Sequence, residues 1–384
     1  MASRYWVGNG GNWSETTHWA EISGGSGGFS VPSSLDNVYF DTNSFTIDNQ
    51  ILTISGDIVF KNIDWSLINN TVVWSGTGDI GCGGNFILND LLTINLLDSD
   101  WKFGTRMPGL ISNNVFNLDN ATFSINPNII GWSLESSATL DILSDINLST
   151  TYLLIFANDS GGSATFNTNN YTFDIAGIEA YGLGALFGSV GHLILNSGTS
   201  IFNIYIQDAT SYRFKGIEFG LPNAIGAQGL ITNNINQSTF NIYTSVNTKC
   251  SIWMAQQSGG TGMGNINIYN DGGIQFWGVN CEETLLITPP SISEKTFDFL
   301  GYNTFDILNI NGSYQHIIKL RLPEYHVPPY TIIANVASLS YLDVKDCTAM
   351  GAAIPFDDTD GGIDSGNNTN WIFSFPINNI NWIT

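Results

Sequence analysis

The sequence predicts an all-β protein of solenoid type, and three observations predict it. Apolar and polar residues alternate with period two in many short stretches. Surface helix formers (Ala, Glu, Lys and Arg) are scarce, and no long stretch carries apolar residues at i, i+3, i+4 and i+7. Similar alternating cores of the Phe-Asn-Ile or Leu-Asp-Ile kind return every ~20–35 residues, an imperfect period of the sort solenoids show.

The alternating segments run in order along the chain: Phe116-Asn117-Leu118, Ala121 to Ile125, Ala164 to Asn167, Tyr171 to Ile175, Ile201 to Ile206, Thr239 to Tyr243, Ile266 to Tyr269 and Phe305 to Ile310. Asn, Gly, Ser and Asp divide them. Asn at a turn tolerates left-handed backbone and bonds its own backbone. Stacked on successive rungs, Asn amides also form ladders. Each rung of a solenoid buries one face inward and turns its corners with small polar residues, which accounts for this composition. A sandwich array fits the irregular period as well and stays open at this point. The Gly-rich tracts near residues 24–28 and 357–370 mark module edges. They divide the chain into an N-terminal cap (1–45), a solenoid body (46–340) and a closing segment (341–384).

With 384 residues, 43% hydrophobic, the chain buries a large core, and 23 Phe and 11 Trp argue against disorder. Only 11% of residues are charged, and the formal net charge is −22. Such a surface repels phosphate backbones, so no nucleic-acid partner is expected. It disfavours anionic membranes as well, and no apolar run approaches the ~18 residues of a membrane span. The basic pairs Arg213 with Lys215 and Lys319 with Arg321 each share one strand face and read as solvated positions. Cys82, Cys250, Cys281 and Cys347 lie far apart in no metal or disulfide spacing, and read as buried free thiols. No secretory signal precedes the first structured-looking residues.

No chemistry-bearing motif stands out. Asp357, Asp358, Asp360 and Asp364 cluster in a Gly-rich tract, but position six counted from Asp358 is Ile363, where a calcium loop of the EF-hand kind needs Gly. The tract reads as a plain Asx-turn loop, and no metal or cofactor is expected. A glycosidase needs two carboxylates about 5–9.5 Å apart. Glu135, Asp141, Asp145, Asp174, Glu179, Asp208 and Glu218 are the candidates, and residues one rung apart stand ~4.8 Å apart. Nothing singles out a pair, and surface acids are the preferred reading. Glu282 and Glu283, as strand neighbours, are expected on opposite faces. His18, His192, His316 and His326 read as isolated, and Ser26 lies in a linker-like loop. The Gly81 to Gly84 tract lacks the strand–helix context of a phosphate cradle. Trp253, Trp277 and Tyr325 are the candidates for stacking on a sugar or partner, with a place in the core as the alternative.

The two ends carry a resemblance. The start reads Arg4-Tyr5-Trp6-Val7-Gly8-Asn9-Gly10-Gly11-Asn12-Trp13, then Thr17-His18-Trp19, Pro32, Asp36 and Val38-Tyr39-Phe40-Asp41. The end reads Leu342-Asp343-Val344 and, later, Gly366-Asn367-Asn368-Thr369-Asn370-Trp371. These resemble the opening and closing modules of bacteriophage virion structural proteins, and also of autotransporter-type bacterial surface proteins. The resemblance implies a right-handed parallel β-helix. Trp6, Trp13 and Trp19 would plug its first rung, and Trp371 would pack its last. It implies a virion location after synthesis in the host cytoplasm, with other virion proteins and a host-surface polysaccharide as partners. It also implies a homo-oligomer, a trimer by analogy with phage spikes. The activity expected is non-catalytic presentation of a surface. The rival readings are a polysaccharide-depolymerising tailspike, a secreted adhesin and a scaffold without outside ligand.

Overall fold

A computed structural model describes residues 2–104, 113–135, 137–157, 162–182, 191–206, 216–219, 230–244, 249–254, 260–270, 273–288, 294–323 and 329–376. The fold is all-β and solenoid-like, with long, mostly parallel sheets. Among the described residues there is no α-helix, only a 3-10 turn at Thr16–His18. Backbone contacts divide the chain into two compact units. One comprises Met1–Asn196 with Asn223–Ile231, the other Ser197–Pro222 with Thr232–Thr384.

In the first unit, Ser3–Trp6 pairs antiparallel with Trp19–Ala20 and parallel with Asn37–Tyr39. Every later pairing described in this unit is parallel. Asn37–Tyr39 stacks on Asn62–Asp64, Phe86–Ile87, Asn113–Asn117, Thr139–Ile142, Gly162–Asn167 and Gly191–Asn196 in turn. A second stack runs from Ile58–Phe60 through Ile80–Cys82, Trp101–Phe103, Ile129–Leu134 and Ile146–Ala157 to Thr172–Gly182. A third joins Gly11–Asn12, Gln50–Ser55, Val72–Thr77, Leu92–Leu97 and Thr122–Ile125.

In strands such as Leu92–Leu97, Trp101–Phe103 and Thr139–Ile142, alternate residues point inward, and they are the apolar ones. The core is aromatic at its start. Trp6, Trp19, Trp65 and Trp74 are fully buried, and Trp13 nearly so. Trp6 meets Trp19 edge-on at 5.1 Å, Trp13 meets Trp19 at 4.8 Å, and Phe40 stacks on Trp65 at 3.5 Å. Two indoles in this cluster also bond backbone: Trp6 Nε1 donates to Asn9 O (2.6 Å) and Trp19 Nε1 to Trp13 O (2.8 Å).

The second unit repeats the scheme. Ile201–Ile206, Leu230–Thr244, Gly260–Asn270, Asn280–Ile287, Tyr302–Asn311, Tyr330–Ser340 and Cys347–Met350 form one parallel stack. Gly216–Phe219, Lys249–Met254, Gly273–Trp277, Glu294–Leu300, Ile317–Arg321, Leu342–Val344, Phe356–Asp364 and Trp371–Pro376 form the other. One rung takes from 12 residues (Ile363 to Phe375) to 38 (Phe202 to Phe240), so the sequence period is imperfect while the pairing stays parallel from rung to rung. That parallel pairing decides against a sandwich, whose sheets are antiparallel.

The small polar residues do two jobs at the corners. Asn169 and Asn170 take φ of 51° and 66°, the left-handed region that Asn tolerates. Other amides bridge rungs. Asn62 donates to Asn37 Oδ1 (2.7 Å), and Asn196 to Asn167 Oδ1 (2.9 Å).

Two expectations fail locally. Asp357 to Asp364 is not a loop: it lies on the strand Phe356–Asp364, whose register shifts between Asp358 and Ile363. Phe356 and Asp358 both point inward there. Glu282 and Glu283 do not divide between two faces, since both are exposed. The pairing shifts between Cys281 and Thr284, and such a bulge breaks strict alternation. Arg213 and Lys215 lie outside the described residues.

Candidate functional site: an outward tryptophan face

In the second unit, Lys249–Met254 turns Cys250 and Ile252 to the core and leaves Ser251 partly exposed, while Trp253 and Met254 after it are buried. Gly273–Trp277 repeats this one rung on, with Ile274 and Phe276 inward and Gln275 and Trp277 outward. The parallel register then sets like beside like. Trp253 stands opposite Trp277, and Ser251 opposite Gln275. Glu218 precedes Trp253 in the same column, and Leu300 follows Trp277. Asp298 continues the column of Ser251 and Gln275, and Arg321 follows it.

The indoles lie 5.6 Å apart at 36°. Their exposures differ: Trp277 is 41% exposed, Trp253 only 8% and Leu300 only 4%. Trp277 is therefore the outer member of an apolar ridge and Trp253 its support. Gly278 follows at φ 60° and turns the chain away directly after the exposed ring. Polar groups flank the ridge. Ser251 Oγ donates to Glu218 Oε1 at 3.1 Å. Arg321 is tied to the next rung: it donates to Asp343 Oδ2 (2.5 Å) and to the carbonyl oxygens of Asp343 (2.5 Å) and Leu320 (2.9 Å). An exposed indole beside hydroxyl, amide and carboxylate groups has the chemistry to stack on a sugar ring and bond its hydroxyls.

The remaining candidates fall elsewhere. Trp6, Trp13 and Trp19 are core residues of the first unit. Trp371 is half-buried on the last described strand, edge-on to Phe356 (5.1 Å) and stacked with Phe373 (5.6 Å). Tyr325 and Asp208 lie outside the described residues. Asp141 stands opposite Asn167, Asp174 opposite Asn147, Glu179 opposite Leu154 and Glu218 opposite Trp253. Asp145 Oδ1 accepts the Thr172 N–H (2.8 Å). Among the described residues, no three His, Cys, Asp or Glu side chains gather as a metal site.

Two arrangements escaped the sequence reading. His192 is not isolated, for its Nδ1 lies 3.0 Å from Ser163 Oγ, opposite it one rung away. Both sit on an outward strand face, where neighbours in register make such contacts ordinarily. Asp358 is fully buried, accepts the Leu342 N–H on Oδ2 (3.1 Å), and has no partner for Oδ1 among the described residues. Burial pushes its carboxyl up to about 7, and the charges of Asp360 and Asp357 push the same way. Perturbed acids cluster at active sites, but a group with no exposure cannot meet a substrate. The spacing of 24 residues between Trp253 and Trp277 was the available signal for the tryptophan face, since it is one rung.

Compared with protein-family models, curated proteins and solved structures, the chain matches none.

Proposed function

We propose that this chain is a non-catalytic structural protein of a bacteriophage particle that offers the Trp277 face to a host-surface polysaccharide. The observation that carries the recognition half is the pairing of an exposed Trp277 with a buried supporting Trp253 in a rim of Glu218, Ser251, Gln275 and Asp298. A ring held rigidly by the core loses little freedom on binding, and preorganisation of that kind favours affinity. The particle half of the reading rests on the likeness of the two ends to phage virion modules. By the same analogy the chain assembles as a homotrimer with other virion proteins.

The test has two measurements. Bacterial surface polysaccharides are arrayed and probed with the purified protein and with Trp277→Ala. Binding that the variant loses is the expected result, and equal binding by both proteins overturns the recognition half. Sugar released from the array would favour the depolymerase reading instead. Immunogold labelling of particles with an antibody to this chain tests the other half, and particles without label overturn it.

A further inference from the structure

Charge is unevenly spread over the two stacks of the second unit. The stack with the tryptophan face carries Glu218, Lys295, Asp298, Lys319 and Arg321. Over the six strands of the other stack from Ile201–Ile206 to Tyr330–Ser340, the charged residues are Glu282, Glu283 and Asp306 alone. All three sit where the pairing of Asn280–Ile287 with Tyr302–Asn311 shifts.

The rest of that outer face is regular. Asn203, Asn241, Asn267, Leu286, Asn309 and Ser338 follow one another in register across six rungs. Each is half-buried or exposed, as are the residues two places before and after it, and none of these positions is charged. Three columns about 6.6 Å apart, over six rungs about 4.8 Å apart, cover roughly 600 Å². A specific protein interface at the small end of its range takes about that much from each partner.

The composition fits a protein partner. Interface cores are poor in charge and rich in Tyr, and this face holds Tyr205, Tyr243 and Tyr269 beside the exposed Ile201 and Val336. The tyrosines suit a sugar less well. Tyr243 stacks on Tyr205 at 4.9 Å and on Tyr269 at 5.1 Å, so its two ring faces are taken by its neighbours. Stacking on a sugar needs an open ring face, whereas ring edges pack against another protein surface.

Net charge narrows the choice of contact. Copies of a chain carrying −22 repel one another. They meet at least cost where neither presents a charge, and the columns of this face present none. We infer that copies of this chain associate with one another through the face of the Asn203 to Ser338 column. This rests on the homo-oligomer reading above and adds the surface that makes the contact.

Sedimentation equilibrium of the full chain over a range of concentrations tests the inference. Wild type is expected to associate. Ile201→Asp with Val336→Asp puts charge on the face at two exposed positions, where substitution costs little stability. Circular dichroism checks that the fold is kept. This pair is expected to raise the dissociation constant at least about tenfold, since like charges set against each other in an interface are costly. Val336→Asp alone should act in the same direction and by less. Ile51→Asp with Leu97→Asp adds the same charge at exposed apolar positions of the first unit and is expected to associate as wild type does. Face variants that associate at wild-type strength overturn the assignment, and they assign the face to a sugar if they lose neutral glycans that wild type holds. Equal weakening by the first-unit pair overturns it as well. In these cases the homo-oligomer reading stands. A wild type that stays monomeric at every concentration removes that reading and this inference with it.

Discussion

The Trp253 ring lies 5.6 Å from that of Trp277, yet the two indoles sit at different depths, Trp253 being 8% exposed and Trp277 41% exposed. Removing each ring should therefore do different things. Trp253→Ala opens a cavity beneath the ridge and should cost about 3–5 kcal/mol. Trp277→Ala removes a partly solvated ring and should cost about 1 kcal/mol or less. Urea midpoints of the two variants check this, and equal losses would show that Trp277 is as much a core residue as its neighbour.

Asp358 should make the closing strands pH-sensitive. Its carboxyl is raised from 3.8 to about 7 because it is buried, with Asp360 and Asp357 adding to the rise and the Leu342 and Tyr341 N–H groups opposing it. A raised acid binds its proton more tightly in the folded chain, so its stabilising effect is complete below pH 3.8 and is lost as pH climbs to about 7. Asp36 is lowered, and its effect runs the opposite way. The difference between wild type and Asp358→Asn isolates the group. The variant should gain on wild type between pH 4 and 7, with a constant gap above. A gap independent of pH, measured by thermal melts across that range, would mean Asp358 does not titrate there.

Buried indole N–H groups should separate two kinds of tryptophan. Trp132 is fully buried among Phe103, Phe116 and Phe166, and its Nε1 has no partner among the described residues. Trp19 Nε1 donates to Trp13 O. An unsatisfied buried donor costs about 1–3 kcal/mol, and a made bond contributes about 1. Trp132→Phe should thus be milder than Trp19→Phe by about 1–2 kcal/mol. The reverse order in denaturant unfolding would refute the assignment.

The four thiols should be inert in the folded chain. Cys82, Cys250, Cys281 and Cys347 are all buried and unbridged, and burial pushes each up to about 12. The thiolate is the reactive form, so a thiol reagent at pH 8 should label none of them natively and all four in guanidinium. Rapid native labelling of any one would place it at a surface.

How much of this was legible beforehand follows from what each feature depends on. Ile201 to Ile206 reads as a half-buried strand from composition alone, because inward positions must be apolar, and its Phe202, Ile204 and Ile206 are indeed buried. Register is a different matter. Nothing local to Trp253 says that Trp277 is its partner, since rungs of this unit range from 12 to 38 residues and loop length is nearly free thermodynamically. Bulges defeat alternation as well: Glu282 and Glu283 share the surface only because the pairing slips beside them. Asp358 was hidden for a related reason. A Gly- and Asp-rich tract reads as a turn, and only its pairing with Leu342–Val344 and Trp371–Pro376 makes it a strand with an acid turned inward.

Register also creates the amide ladder on the second unit, and its polarity yields a further expectation. Asn203, Asn241 and Asn267 stand in line on successive rungs. Asn241 Nδ2 donates to Asn203 Oδ1 (2.8 Å), and Asn267 Nδ2 donates to Asn241 Oδ1 (3.0 Å), so the middle amide both gives and takes. Asn241→Asp keeps the acceptor and removes the donor. At neutral pH it turns a carboxylate oxygen toward the Asn203 carbonyl oxygen, two acceptors facing each other. Protonation restores an O–H that can donate to Asn203. The folded chain therefore favours the protonated form and raises the new acid, so the variant should be near wild type in acid and fall behind as pH rises through that raised value. Asn241→Ala should show a loss of about 1–2 kcal/mol that does not follow pH. Melting curves of both variants from pH 3 to 8 test the ladder, because a flat difference for Asn241→Asp would mean the amides do not bond in the direction given.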